Sequence, residues 1–220
     1  MARARSDDAT QRPEGLRERK KRQTREAIVA AAHDLFTRNG YHETTLAEIA
    51  AMADVSVSTV FGYFGTKEAI LFSGYDAAME DFIAWLDERL ADEPAIDRAQ
   101  RWWDAHGERF ASVANTGFLR LIYFDPVLNG ARVARMTRAR EALAAHVARD
   151  LGEDPGDLRP RVIASAYVAT LAECSRYRLE RIEGDRPLRD NPYAGHLGEL
   201  MRGGIPAMAR MPKPEDMRPA

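Results

Sequence analysis

The sequence predicts an all-α protein of about nine helices, and three features of the chain indicate this class. Apolar residues recur every three or four positions in successive segments from Leu16 onwards. Short stretches rich in Pro, Gly or Asn separate these segments, as helix ends require. No stretch shows the apolar–polar alternation of a half-buried strand. With 45% hydrophobic residues, the 220-residue chain is long enough to bury one or two cores.

Residues 1–15 precede the first helix and lack apolar periodicity. They mix Arg, Asp and Gln with Pro13 and Gly15, so we expect a disordered arm whose basic residues either contact phosphates or stay solvated. The first helix begins near Leu16 and ends at Gly40, a residue suited to helix C-termini. Its apolar stripe consists of Ile28, Ala31, Ala32, Leu35 and Phe36.

The range Thr44–Phe64 predicts two short helices joined by a tight turn. Thr45 and Glu48 have the spacing of a capping box, which starts the first of them. Asp54 interrupts the apolar pattern and tolerates a left-handed turn. Ser56 is a suitable N-cap for the second helix. This arrangement is typical of a helix-turn-helix, whose second helix lies in the major groove of DNA.

Two runs of residues make this interpretation more specific. The first, from Ala31 to Thr45, reads Ala-Ala-x-x-Leu-Phe-x-x-x-Gly-Tyr-x-x-Thr-Thr. The second, from Val55 to Leu71, reads Val-Ser-x-x-Thr-Val-Phe-x-Tyr-Phe-x-Thr-Lys-Glu-x-x-Leu. Both closely resemble the DNA-binding domain of the TetR/AcrR family of transcriptional regulators, and the resemblance covers about residues 17 to 72. It implies a homodimer that binds a palindromic operator in double-stranded DNA and releases it when a small molecule occupies the C-terminal helices.

The candidate DNA-binding residues lie on the second short helix and at the helix starts around it. The helix and its cap offer Ser56, Val57, Ser58, Thr59, Phe61, Gly62 and Tyr63. Hydroxyl groups bond base edges or phosphates, and apolar groups contact thymine methyls, although Phe61 is equally suited to a core. Gly62 either allows close approach to DNA or is a tolerated surface glycine. The resemblance implies phosphate contacts at Thr45, Tyr63 and Lys67.

The start of the first helix is strongly basic. Residues 1–25 hold nine Lys or Arg against four Asp or Glu, which leaves a net charge of −7 on the rest of a chain whose total is −2. A basic run is usually a solvated helix face. Because this one adjoins a helix-turn-helix, we expect it to contact phosphates, with Arg22 as the representative residue.

The rest of the chain predicts further helices separated by loops. We expect a break near Asn115–Gly117 and a turn at Asn129–Gly130, because the Asn and Gly residues of both stretches favour turns. The helices expected after the helix-turn-helix are Lys67 to about Leu90, Ala95 to about Val113, Phe118–Phe124, a helix that follows the Asn129–Gly130 turn and ends at about Leu151, Arg161 to about Glu183, and a glycine-rich segment from Tyr193 to about Met211. The last two helices are expected to build the dimer, with small residues at Ala164, Gly195 and Gly198.

The candidate effector site lies among these C-terminal helices and is largely aromatic and aliphatic. Its expected lining residues are Trp103, Phe110, Phe118, Ile122, Tyr123, Tyr167, Leu171 and Tyr177. Such a lining favours a mainly apolar ligand, although the same residues would serve equally as plain core. Arg120, Glu173 and Arg176 lie on apolar faces and must be paired if buried, either with one another or with a charged group of the ligand.

Several other classes of function find no support in the sequence. The five histidines and the single Cys174 lack metal-ligand spacing, and no nucleophile elbow or nucleotide-binding loop is present. We therefore expect no enzyme activity, metal or cofactor. No run of about 20 apolar residues would span a membrane, and the charged N-terminus has no secretory signal, so a cytoplasmic location is expected.

The sequence as a whole therefore predicts a ligand-responsive transcriptional repressor. Its expected divisions are a disordered arm (1–15), a three-helix DNA-binding domain (16–65), a helical effector-binding and dimerisation domain (66–212) and a tail (213–220). One alternative is a DNA-binding regulator without a small-molecule effector. The other, from a different class, is a helical enzyme.

Overall fold

The computed structural model of the protein describes residues 15–88, 93–110 and 113–181, without the side chains of 107–110 and 113–116. This part of the chain contains eight α-helices and no strand. The helices are α1 (Leu16–Asn39), α2 (Leu46–Met52), α3 (Val57–Phe64), α4 (Lys67–Asp87), α5 (Ala95–Phe110), α6 (Val113–Phe124), α7 (Pro126–Leu151) and α8 (Leu158–Arg181). The predicted all-α class is confirmed. The predicted arm, the Tyr193–Met211 helix and the tail lie outside the described residues.

The chain divides between Leu71 and Phe72 into two compact units. In the first, α2 packs against both α1 and α3, and the apolar stripe predicted for α1 is buried from Ile28 to Phe36. Ile49 of α2 and Val60 of α3 complete this core. The axes of α2 and α3 meet at 107°, within the range of a helix-turn-helix.

The second unit is organised around α7, which packs against α5, α6 and α8. The largest buried side chains include Trp102 of α5, Ile122 of α6, Leu143 of α7 and Tyr167 of α8. No single described helix is long and apolar enough to cross a membrane; α2 and α3 reach that hydropathy only when taken together as a bent pair.

The helix α7 begins earlier than the sequence suggested. The Asp125 side chain accepts hydrogen bonds from the backbone N–H groups of Val127 (2.9 Å) and Leu128 (3.0 Å), and Pro126 occupies the first turn. A proline there is favourable because its missing N–H has no helical partner to lose. The predicted turn at Asn129–Gly130 is therefore wrong, because both residues lie inside α7.

Two other expected boundaries also differ. The break near Asn115–Gly117 is wrong, because α6 is continuous from Val113 to Phe124. A glycine inside a helix costs only about 1 kcal/mol relative to alanine, a cost that the packing of α6 on α7 and α8 outweighs. The helix α8 starts at Leu158 rather than Arg161, because Pro160 is tolerated in a first turn.

Candidate nucleic-acid interface and effector site

The helix α2 is held at its start by the predicted capping box. The Thr45 hydroxyl accepts from the Glu48 backbone N–H (3.2 Å), and the Glu48 carboxylate accepts from the Thr45 backbone N–H (2.8 Å). Hydrogen bonds from the Thr45 backbone and side chain lower the pKa of Glu48. The predicted box is confirmed, and it leaves the Thr45 side chain exposed on the surface of the first unit.

The turn between α2 and α3 has the predicted left-handed residue at its centre. Asp54 has a φ of 54°, a conformation that its short polar side chain tolerates. The Ser56 hydroxyl then caps α3 by accepting from the Thr59 backbone N–H at 3.0 Å. The same oxygen lies 2.8 Å from the Ser58 hydroxyl and 2.7 Å from the Thr59 hydroxyl. Three hydroxyl groups thus cluster at the N-terminus of α3, where DNA-binding helices contact base edges.

One face of α3 is apolar and exposed. The Val57 side chain is 48% exposed and that of Phe61 is 64% exposed, whereas Val60 on the opposite side is fully buried. Phe61 is therefore a surface residue, and the alternative of a core role is wrong. Gly62 is also exposed, and a Cβ added there would meet no atom within 4 Å. Within the first unit, α3 thus presents hydroxyls, two apolar side chains and bare backbone.

The Lys67 side chain makes contacts that the sequence did not suggest. Its Nζ donates to the backbone carbonyls of Tyr41 (2.5 Å), His42 (3.2 Å) and Thr44 (2.8 Å), and it lies 4.4 Å from the centre of the Tyr41 ring. Burial among these groups lowers the pKa of Lys67, against the opposing effect of Glu43. Lys67 therefore ties the loop between α1 and α2 to the start of α4.

The basic residues of α1 remain on the surface. Arg22 is exposed and pairs with Glu26 at 3.2 Å, one helical turn away. The guanidinium of Arg25 lies 5.0 Å from the centre of the half-buried Phe64 ring. An exposed ion pair such as Arg22–Glu26 contributes little to stability. Arg22 accordingly keeps a charge that it can present to a phosphate.

In the second unit, aromatic residues of α4 and α5 form a connected cluster. Trp102 packs edge-on against Phe82 (5.1 Å between ring centres) and Trp103 (5.0 Å), and stacks on His106 (4.9 Å). Tyr167 of α8 is fully buried, and its hydroxyl has no hydrogen-bond partner within the part of the chain described. A buried hydroxyl without a partner is uncommon and calls for an explanation.

A separate polar cluster surrounds Arg132 of α7. Arg132 is only 7% exposed, and its guanidinium donates through Nε (3.0 Å) and Nη2 (2.9 Å) to the Asn129 side-chain oxygen. It lies 4.3 Å from the centre of the Tyr123 ring and hydrogen-bonds the hydroxyls of Tyr75 and Tyr123. Tyr123 also hydrogen-bonds Ser175. Side chains of α4, α6 and α7 therefore meet at one buried guanidinium, and Ser175 of α8 joins the cluster through Tyr123.

Comparison with known proteins decides the family. Residues 28–73 match the description "Bacterial regulatory proteins, tetR family", and residues 97–190 match "MftR C-terminal domain". The HTH-type transcriptional regulator TcmR of Streptomyces glaucescens is 30% identical over 180 residues, which cover 78% of this chain and 80% of TcmR. The chain belongs to the TetR family of bacterial regulators. The resemblance drawn from the two sequence runs is thereby confirmed, and the proteins of this family regulate transcription by binding DNA.

Solved structures of TetR-family proteins share the fold over most of the chain. FadR of Bacillus subtilis, solved in complex with stearoyl-CoA, has a TM-score of 0.58 and 19% identity, covering 82% of this chain and 98% of FadR. NalD of Pseudomonas aeruginosa is the secondary repressor of the MexAB-OprM multidrug efflux pump. Its structure also has a TM-score of 0.58, with 22% identity, and the match covers 83% of this chain and 96% of NalD. At these identities the likeness shows the fold alone.

The predicted effector residues of this TetR-family chain fall in different surroundings. Ile122 and Tyr167 are buried, whereas the other apolar candidates with described side chains are half-buried: Trp103, Phe118, Tyr123, Leu171 and Tyr177. The Phe110 side chain lies outside the described residues. Tyr123 joins the Arg132 cluster, and Tyr177 lies under the Arg181 guanidinium at 3.5 Å.

The charged candidates are not buried as the sequence suggested. Arg120 is exposed and its Nη1 donates to the Leu179 carbonyl. Arg176 is exposed and pairs with Glu180 at 3.3 Å, and Glu173 is also exposed. The sequence calls for pairing of Arg120, Glu173 and Arg176 only where they are buried, and all three are exposed.

Arg132 is a buried cation of this unit that the sequence reasoning missed, and Arg98 is buried to the same extent. Arg132 occupies an inward position of α7, in line with the buried residues Leu128, Met136, Ala139 and Leu143. Those apolar neighbours at helical spacing were the available signal, since an arginine on an apolar stripe is expected to be paired. The expected turn at Asn129–Gly130 concealed it, because it placed Arg132 at a helix start.

Proposed function

We propose that this protein is a ligand-responsive repressor that binds a palindromic operator as a homodimer and releases it when a mainly apolar small molecule binds the second unit. The observation that carries this proposal is the exposed face of α3 on a chain whose second unit buries the Tyr167 hydroxyl with no hydrogen-bond partner among the described residues. A cytoplasmic location and the absence of catalysis accompany the proposal. The division of the chain into segments ending at residues 15, 65 and 212 is also part of the proposal.

DNA recognition is assigned to α3 and the helix starts beside it. Ser58 and Thr59 supply hydroxyls for base edges, and Val57 and Phe61 supply apolar contacts suited to thymine methyls. Thr45, Tyr63, Lys67 and Arg22 are proposed phosphate contacts, where free N–H groups of helix N-termini and surface cations attract anions. The repressor role is in keeping with NalD, a protein of the same fold that is described as a repressor.

An effector is supported by the buried Tyr167 hydroxyl that lacks a partner in the described residues. A ligand atom that accepts or donates there would remove the cost of leaving that group unsatisfied. FadR, which shares the fold, was solved with stearoyl-CoA, a ligand with a long apolar chain. Effector and operator would each prefer a different arrangement of the two DNA-binding units, so that each weakens the binding of the other.

Dimerisation is assigned to α8 together with the glycine-rich segment that lies outside the described residues. The helix α8 exposes Leu158, Val162, Ala166 and Ala169 at positions that share one helix face. A continuous apolar face is suited to association with a second copy. Ala164 is fully buried within its own chain, so the expectation that it lies between subunits is wrong and the small residues of the exposed face replace it.

The proposal is tested by selecting genomic DNA fragments with the purified full-length protein and sequencing them. A palindromic motif should emerge, and substitution of Ser58 or Thr59 by alanine should change the preference among operator variants by about 1–3 kcal/mol. Unchanged relative affinities would exclude both residues from base readout. A screen of hydrophobic metabolites follows, because a ligand at about 100 times its Kd stabilises the fold by about 2.7 kcal/mol. A true effector must also lower operator affinity.

Two rival functions make different predictions. A regulator without a small-molecule effector would show no hit that both stabilises the protein and releases DNA. A helical enzyme would need titratable groups gathered in a cleft, and it would turn over a substrate without any requirement for DNA. The relatives are transcription regulators, which favours the regulator over the enzyme.

A further inference from the structure

We propose that Arg132 binds the carboxylate of the effector, so that the ligand is an amphipathic organic acid and not a neutral hydrocarbon. The inference rests on the proposed effector function and adds the charge of the ligand to it. It is carried by the juxtaposition of a buried guanidinium, two phenol hydroxyls and apolar side chains in the second unit.

Arg132 places a positive charge in the interior of the second unit. Arg132 is 93% buried, and among the side chains that the structure describes no carboxylate pairs with it; its direct partners are the neutral Asn129, Tyr75 and Tyr123. Taking a guanidinium out of water without a counter-charge is costly. Asp76, on α4 next to Tyr75, forms its ion pair with Arg135 at 3.0 Å. The site thus carries one positive charge that an anionic ligand would neutralise.

The phenols beside Arg132 belong to Tyr75 and Tyr123. Burial raises the pKa of Tyr75 and of Tyr123 above that of a free tyrosine, so both phenols are neutral at neutral pH and supply no negative charge to Arg132. Each oxygen instead accepts from Arg132 and keeps its own proton. A phenol O–H beside a guanidinium is a second donor for the same anion, and charge-assisted hydrogen bonds of this type are the strong ones.

Apolar side chains that could contact the body of the ligand lie beside the Arg132 cluster. The Tyr123 ring and Leu119 pack directly against the buried Leu179. Tyr123 therefore belongs both to the Arg132 cluster and to an apolar contact between α6 and α8. The Arg135 guanidinium lies 3.9 Å from the centre of the Phe72 ring and is occupied by Asp76. Of these two guanidinium groups, Arg132 is the one that no described carboxylate pairs with. A single positive charge matches a carboxylate better than a doubly charged phosphate.

The experiment measures binding of four probes to the full-length protein by calorimetry and thermal shift, below their micelle concentrations. The probes are decanoate, 1-decanol, decyl phosphate and decanoyl-CoA, which share one chain and differ in the head group. Wild type should bind decanoate about 10- to 100-fold more tightly than 1-decanol, the range expected for a charge-assisted hydrogen bond in a buried site. Tighter binding of 1-decanol, decyl phosphate or decanoyl-CoA would overturn the carboxylate assignment.

The variants locate the effect. Arg132→Met keeps an unbranched apolar side chain and should abolish the preference for decanoate over 1-decanol while leaving 1-decanol binding unchanged. Arg138→Met, an exposed arginine on the same helix, is the matched control and should behave as wild type. Tyr75→Phe and Tyr123→Phe keep the aromatic rings, and each should weaken the binding of decanoate several-fold. If Arg132→Met does not fold, the two phenylalanine variants decide, and an unchanged preference in both contradicts the proposal.

Operator binding separates this proposal from the function on which it rests. Decanoate that binds through Arg132 without weakening operator affinity would contradict release of DNA by the ligand and leave the carboxylate site intact. A neutral compound that releases the operator equally from wild type and Arg132→Met would support the proposed function and overturn the carboxylate site.

Discussion

The two units of this TetR-family regulator satisfy their polar groups over different distances along the chain. In the first unit, Thr45 bonds Glu48 and Ser56 bonds Thr59, each pair three residues apart. In the second unit, His146 contacts Arg98, which lies 48 positions away. The first unit is therefore specified by short motifs and keeps its proposed DNA-binding groups on the surface. The second buries charged and phenolic groups whose partners the fold alone brings together.

The largest expected effect comes from the exposed apolar face of α8. Val162→Glu should convert the dimer into a monomer, because a charge on that face would be buried between subunits. Loss of the second DNA-binding unit should then lower operator affinity by about 10²–10⁴-fold. Light scattering and fluorescence anisotropy with operator DNA measure both effects.

The control for this change is Val133→Glu on α7, since both valines are 54% exposed. That variant should remain dimeric and bind DNA normally. A wild-type protein that is monomeric at micromolar concentration would contradict the whole arrangement. It would also remove the reason for assigning association to the second unit.

The next effect concerns Lys67, the exception in the first unit, whose partners lie 23 to 26 residues away. Lys67→Met should lower the free energy of unfolding by about 1–2 kcal/mol, because three carbonyls lose a charged donor and are only partly compensated by water. Chemical denaturation followed by circular dichroism measures this loss. The exposed Lys20 of α1 is the control, and Lys20→Met should leave stability unchanged.

The same two variants test the proposed phosphate contact. If Lys67 also neutralises a phosphate, the slope of log affinity against log salt should fall by about one in Lys67→Met. An unchanged slope together with lowered stability would show that Lys67 acts by holding the loop, and the proposed phosphate contact would then be wrong. A changed order of preference among operators would contradict both roles.

These long-range contacts explain which parts of the fold could be predicted. Caps and turns depend on residues three or four apart, so Thr45, Asp54 and Ser56 were assigned correctly from their neighbours alone. The Lys67 contacts with three carbonyls depend on the path of a loop, which no local pattern encodes. The Arg132 cluster joins side chains of four helices, and it was hidden by the wrong turn at Asn129–Gly130. Asp125 and Pro126 contained the local signal that would have corrected that turn.

A third test uses pH and applies to the second unit. His146 is buried with its Nδ1 2.9 Å from Arg98 Nη2 and 2.5 Å from Arg149 Nη2, while its Nε2 lies 3.0 Å from an Asp87 oxygen. Nδ1 must therefore accept, and the neutral ring donates from Nε2 to Asp87. Burial, with Arg149 and Arg98, lowers the pKa of His146, against the opposing effect of Asp87.

The sign of the pH effect follows from this shift. Because the folded pKa lies below the unfolded value of about 6.5, the unfolded chain binds the proton more readily as the pH falls. The stabilising contribution is complete above about pH 6.5 and is lost at lower pH. His146→Gln, which can accept and donate but does not titrate here, should reduce the fall in Tm between pH 7.5 and 5.5. An equal fall in both proteins would contradict this role of His146.

The smallest expected effect concerns Gly62 on the recognition helix. A Cβ at this position meets no atom within 4 Å, and its φ is not positive, so Gly62→Ala should raise the free energy of unfolding by up to about 1 kcal/mol through helix propensity alone. Gly74→Ala, at an equally open and exposed position of α4, should stabilise similarly and is the control. Operator affinity then distinguishes the two roles considered for Gly62. A loss in Gly62→Ala but not in Gly74→Ala would mean that the bare backbone of α3 closely approaches DNA, whereas unchanged affinity in both would make Gly62 a tolerated surface glycine.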